Sequence, residues 1–234
     1  MRPHILACLG VAVAVSLLPG CARSVDGMPV AAHGPPSGAK SSPAQPVRDY
    51  DISRLSKVQS EFPPGFMQVQ TMPVATLGLA ADKFSSIGVG DVIAIDPPDC
   101  RSLLQPVRPP RDAQFTVVGG IGKGAIMVSA VKSHEPLPRP PASAGCGHAA
   151  VTRKISRRRY KSTVTRVPGP SIDGVTTTGA MDVAAVGNTR SYVFAGFLSD
   201  AVAVVVQGLL PSNLHADDIL QDMLVKGVAA IRAD

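Results

Sequence analysis

Hydrophobic and polar positions divide the chain into three stretches of different rhythm. Ile5 to Leu18 is apolar almost throughout and stops at Pro19-Gly20. Ala22 to Arg48 has no apolar period and is rich in Pro, Gly, Ala and Ser, the composition of a flexible tether. From Tyr50 onward, short apolar-rich segments alternate with breaks that carry Gly and Pro, as in a folded domain. The expected organisation is a leader at residues 1–20, a tether at 21–48 and a single α+β domain at 49–234.

Within the domain, Leu55 and Val58 have helical spacing, with Phe62 four positions on, and Phe62-Pro63-Pro64-Gly65-Phe66 then breaks any helix. Met67 to Met72 alternates as a short strand does, and Ala80 to Ser86 reads as a short helix ending near Gly88-Val89-Gly90. Leu103, Leu104 and Val107 mark a second helical candidate, with Asp99 placed to cap it and Pro109-Pro110 to end it. Phe115 to Val118 and Ala125 to Val131 are rich in β-formers. The glycines between them, Gly119, Gly120, Gly122 and Gly124, suit a hairpin connection. Pro136 to Pro141 is a loop that delivers the chain to Cys146.

Beyond it the pattern is mostly strand: Val151 to Ile155, Tyr160 to Val167, Gly174 to Val186, Ser191 to Leu198 and Val202 to Gln207, the last two joined by a tight turn at Ser199-Asp200. Val202, Val204, Val205 and Val206 are apolar on both faces, which predicts a central strand covered on each side. Leu214 to Arg232 closes the chain as an amphipathic helix, its stripe formed by Leu220, Met223, Leu224, Val228 and Ile231. Ser212 or Asn213 can cap it, and Asp217, Asp218 and Arg232 suit the two ends of its dipole. The expected fold is an antiparallel sheet of about five to seven strands with packed helices, including this C-terminal one.

Composition changes the picture in two places. The chain has no Trp and few other aromatics, so its core must be built from Val, Ala, Leu and Ile, with little to offer for stacking on sugars or bases. Net charge is +6, and Arg153, Lys154, Arg157, Arg158, Arg159 and Lys161 alone supply as much, so the rest of the chain is neutral on balance.

The N-terminal stretch has the parts of a secretory leader: Arg2 as the positive end, an apolar run, and small Gly20 before Cys21. A membrane-spanning helix needs about 20 apolar residues, and this run ends sooner. Leu18, Gly20 and Cys21 resemble the lipobox of bacterial lipoproteins, which implies acylation of Cys21, palmitate being a typical chain, and cleavage before it. Two acyl chains suffice for stable attachment, which would place the protein on the extracytoplasmic face of the cell membrane. The tether would then reach about 30 Å as a coil and about 80 Å fully extended. An ordinary secreted protein with Cys21 left as a free thiol is the alternative.

Of four cysteines, Cys8 leaves with the leader and Cys21 takes the lipid. In an oxidising compartment the remaining pair, Cys100 and Cys146, reads as a disulfide, worth about 4 kcal/mol in the chain-entropy model. The competing reading is a metal site of Cys146, His148 and His134, which lacks the paired C-x-x-C spacing of zinc centres. No cofactor is implied.

The Tyr50 to Leu55 opening, Phe62 to Phe66, Asp96 to Cys100 with Leu103-Leu104-Gln105-Pro106, and Ala144-Gly145-Cys146 together with the lipobox resemble a group of mycobacterial cell-envelope lipoproteins. More distantly the layout is similar to the extracellular sensor domain of a mycobacterial serine/threonine protein kinase. The resemblance implies an antiparallel sheet carrying helices, with a cleft for a ligand. The chain departs from those sensors in having one potential disulfide where two are expected, and no Trp.

Candidate chemistry is sparse. Six cations within nine residues could face anionic lipid heads or an acidic envelope polymer, or simply form a solvated strand. Nucleic acid is not an expected partner of a surface-anchored chain without stacking aromatics. Gly119-Gly120-Ile121-Gly122-Lys123-Gly124 lacks the Ser or Thr that follows the Lys of a phosphate loop, so it reads as a turn. There is no G-x-S-x-G elbow, and His134, His148 and His215 point to no particular triad. Asp91, Asp96 and Asp99 are accounted for by Pro97-Pro98 and a helix cap. The expectation is a non-catalytic domain that binds a small or lipidic envelope component. A protein-interaction subunit of an envelope complex and a cryptic hydrolase are the alternatives.

Overall fold

The segments that alternate join edge to edge in the structure, a computed structural model that describes residues 48–139, 146–184 and 188–233. The leader, Cys21 and the tether up to residue 47 lie outside the described residues, as do Ala144-Gly145 and the expected end of the strand at Val186.

The strands are β1 (Phe66–Thr76), β2 (Asp91–Asp96), β3 (Gln114–Gly122), β4 (Ala125–Lys132), β5 (His148–Ile155), β6 (Arg158–Val167), β7 (Thr176–Ala184), β8 (Thr189–Phe197) and β9 (Val202–Pro211), followed by helix α1 (Ala216–Arg232). They form one sheet in the order β1-β3-β4-β9-β8-β7-β6-β5-β2, antiparallel at every step. Nine strands exceed the five to seven expected. Asp91–Asp96 joins the far edge against β5 although its acidic ends and the prolines behind it hid it as a strand.

Because β9 lies mid-sheet and is apolar on both faces, it needs cover on both. Val202, Val204 and Val206 pack under α1 and the 3-10 helix Ile52–Glu61. Ala203 and Val205 face the opposite core, roofed by the segments on either side of β2, residues 77–90 and 97–113, and by Leu137 and Cys146. The first side is called the helix face below and the second the roofed face.

The stripe on α1 is buried as expected: Leu220, Met223 and Leu224 are inaccessible to solvent, with Val228 and Ile231 nearly so, each worth about 1.5–3 kcal/mol. The helix starts later than the pattern indicates. It begins at Ala216 after His215, which makes no side-chain cap, so Ser212 and Asn213 lie outside it. Asp217 and Asp218 occupy the first turn and Arg232 the last.

The other helices are short and of the 3-10 kind. Asp51 caps the first by accepting from the Ser53 amide at 3.0 Å and the Ser53 hydroxyl at 2.7 Å, and it buries Ile52, Leu55 and Val58. In Pro98–Leu103, Asp99 sits within the first turn and Pro97 at the cap, so the expected Asp99 cap is not made. Cys100 in that turn is joined to Cys146, their Cα atoms 5.2 Å apart, which ties the roof to the start of β5. Among the described residues no helix is long and apolar enough to cross a membrane.

Candidate functional site

The roof does not reach the whole sheet, and where it stops an apolar groove of about 480 Å³ opens on the roofed face. Its floor follows from register, since residues directly opposite one another in a ladder point to the same side. One row across β1, β3, β4 and β9 is Gln70, Gly119, Met127 and Gln207; the row towards the sheet end is Met67, Ile121, Ala125 and Leu209, continuing to Ser191 on β8. The row on the other side, Met72 and Val117, leads into the roofed core. Gly119 is the gap in this floor. A β-carbon there would meet nothing nearer than the Ile126 carbonyl oxygen at 3.8 Å and would project into the groove.

Ile121 is 62% exposed, Met72 50% and Met127 39%. These are aliphatic side chains at the mouth of a concave surface, an arrangement that marks a binding site more often than an isolated exposed Leu does. Gln70, Ser191 and Gln207 supply polar groups at its margin, and apart from Tyr192 none of the lining residues is titratable.

The wall is the loop Ser86-Ile87-Gly88-Val89, held from three directions. The Gln207 amide donates to the Ser86 carbonyl at 2.8 Å, the Ile87 amide donates to the Leu104 carbonyl at 2.9 Å, and the buried Ser85 hydroxyl both donates to and accepts from the Val107 backbone, at 2.7 and 3.0 Å. Gly88 has φ +80° and rests on an ion pair; any β-carbon there would overlap Asp182 and the Arg153 guanidinium. Arg153 donates to Asp182 Oδ2 from Nε at 3.1 Å and Nη2 at 2.7 Å, and both side chains are about 95% buried. Among the described residues, Oδ1 of Asp182 and the Ser162 hydroxyl have no hydrogen-bond partner.

That pairing separates the six cations. Arg153 is internal, neutralised, and removed from any surface patch. Lys154 and Arg159 stand opposite each other with Lys161 on the same side, the helix face, whereas Arg158 lies opposite Ile155 on the roofed face and Arg157 is in the turn. The structure thus splits the run and leaves five exposed cations around one hairpin tip.

The other candidates are dispersed. The Cys146 sulfur is committed to Cys100 and is no thiolate ligand, and among the described residues no three His, Cys, Asp or Glu gather as a metal site. His134 lies in a loop, His148 opens β5, and His215 precedes α1 near Ser212 and Asp217 at a second, more polar hollow; all three histidines are exposed. Asp91, Asp96 and Asp99 do not converge: Asp91 pairs with Lys83 at 2.9 Å. The groove itself escaped sequence reasoning. Its available signal was apolar residues at 67, 72, 121, 127 and 209, more than a solvated face needs.

A family model described as a domain of unknown function, DUF5642, matches residues 51–232, which spans every strand and the helix. The chain belongs to the DUF5642 family. Among solved structures, this DUF5642 domain is similar to an uncharacterized protein of Mycobacterium smegmatis, the Rv0999 ortholog, with a TM-score of 0.62 and 20% identity over 79% of this chain and 98% of that one. That likeness shows the fold. The extracellular domain of PknH from Mycobacterium tuberculosis matches with a TM-score of 0.40 and 12% identity, over 69% of this chain and 85% of that one, too low to decide anything. No curated protein matches the chain.

Proposed function

We propose that the protein is an exported, lipid-anchored and non-catalytic binding domain whose groove holds the apolar part of a small or lipidic component of the cell envelope. The observation that carries this reading is the unroofed floor at Gly119, ringed by Met72, Ile121, Met127 and Leu209 and lined by no carboxylate, imidazole, amine or thiol. Such a lining offers area and shape. It has no nucleophile and base to bring together, which favours holding a ligand over reacting with it.

The anchor is part of the same reading: acylated Cys21 would keep the groove within tether reach of a lipid surface. The test is a fluorescence titration with 1-N-phenylnaphthylamine, a neutral apolar probe, on the full chain carrying Cys21→Ala. Saturable enhancement that a single-chain fatty acid displaces is expected. Enhancement that neither saturates nor is displaced would overturn the groove as a binding site.

A further inference from the structure

We propose that the β5–β6 hairpin is a docking surface for an anionic lipid bilayer, and that docking holds the groove mouth at the lipid surface; only the second clause rests on the ligand reading above. Lys154, Arg157, Arg158, Arg159 and Lys161 are all exposed, and among the described residues none of them forms an ion pair. The acid opposite Lys154 is Asp91, already engaged by Lys83 at 2.9 Å. Among the described residues the tip therefore keeps a net positive charge, with Asp91 the one acid set opposite it.

Three further features favour a bilayer over a soluble anion. Ile155 and Tyr160 are partly exposed beside Arg158 on the roofed face of the tip, and Ile93 is partly exposed on the neighbouring β2, the mixture of basic and amphipathic side chains that settles at a head-group boundary. Among the described residues α1 packs chiefly on β4, β8 and β9, so Lys154, Arg159 and Lys161 project from the helix face of the tip, which can meet a surface end-on. The hairpin tip is also at the same end of the sheet as the β3–β4 turn and the outer row of the groove. Tyr50, whose hydroxyl donates to the Leu198 carbonyl at 3.4 Å, lies at the opposite end of the sheet. The loop that walls the groove continues to Gly90, where a β-carbon would strike Ile155 and the Lys154 backbone. Groove wall and basic hairpin are thus contiguous.

The experiment is vesicle co-sedimentation of the full chain carrying Cys21→Ala, on phosphatidylcholine alone and on phosphatidylcholine with phosphatidylglycerol. The leader contributes equally to every variant, so the quantity read is the extra partition onto anionic vesicles. That extra partition should fall at least roughly tenfold when Arg157, Arg158 and Arg159 become Ala, and should fade as salt rises. Removing Arg101 and Arg108, exposed cations elsewhere, should leave it intact. Equal loss from Arg101→Ala/Arg108→Ala, no preference for anionic vesicles, or binding to soluble polyglutamate with no gain on vesicles would each overturn the proposal. Gly119→Leu should leave docking unchanged, so a failure of docking with probe binding preserved strikes this inference and not the groove.

Discussion

Leucine at position 119 should close the groove without harming the fold. Gly119 lies in β3 with no left-handed φ, and a β-carbon there has only one neighbour within 4 Å, the Ile126 carbonyl oxygen at 3.8 Å. Replacing a strand glycine also reduces the entropy lost on folding, worth roughly 0.5–1 kcal/mol, so Tm should hold or rise slightly. The new side chain occupies space that about three methylenes of a ligand would fill. At about 0.8 kcal/mol each this costs about 2.4 kcal/mol, roughly a fifty-fold rise in Kd. The assay is the naphthylamine titration on Gly119→Leu and its parent, with thermal melts alongside. Gly179→Ala is the opposite control: its β-carbon would come within 2.6 Å of the buried Phe194 ring, so it should cost about 1–3 kcal/mol of stability and leave probe affinity alone. Parent-like Kd in a folded Gly119→Leu protein would refute the assignment of the groove.

Three further outcomes test the frame around the site. Arg153→Met strands the Asp182 carboxylate and should cost about 3–5 kcal/mol in urea unfolding, most of it regained in Arg153→Met/Asp182→Leu; a cost under about 1 kcal/mol would show the pair to be solvated. Cys100→Ser/Cys146→Ser opens a link of 46 residues and should lose about 4 kcal/mol of stability, whereas unchanged urea unfolding with and without reductant would deny the bridge. The Ser53 hydroxyl first, and its amide second, hold the Asp51 carboxyl below its ordinary value of 3.8, so its contribution is present above pH 3.8 and is lost as pH falls through the lower folded value. Asp51→Asn should keep the cap and remove that part of the acid dependence, and an acid limb identical to the parent's would contradict it.

Most of the sheet was legible because β-residues in this chain obey a period of two wherever one face meets a core. Val202 to Val206 announced a doubly covered strand, and the spacing of Leu220 to Ile231 announced the face of α1. What stayed hidden depends on long-range partners. Asp91–Asp96 has an apolar run, Val92-Ile93-Ala94-Ile95, but the aspartates at its ends and the prolines behind it mask the signal, and its pairing with β5 makes it an edge strand. The glycines after Val118 read as a turn, yet β3 runs on through Gly122 and the turn itself is Lys123-Gly124. Glycine there serves two purposes: Gly120 admits the Phe62 ring from the helix face, whereas Gly119 leaves space on the roofed face. Nor could the basic run show that Arg153 alone turns inward, since burial of an arginine is decided by the acid it meets, here Asp182 on β7.

The central claim is that the groove is filled by an apolar envelope component where the protein works. Native mass spectrometry of the chain purified from its own host tests this most directly, comparing the parent with Gly119→Leu. The account predicts an added mass on the parent, released by organic solvent and absent or strongly reduced in the variant. A parent that carries no added mass, or a variant that carries the same mass at the same occupancy, would contradict it.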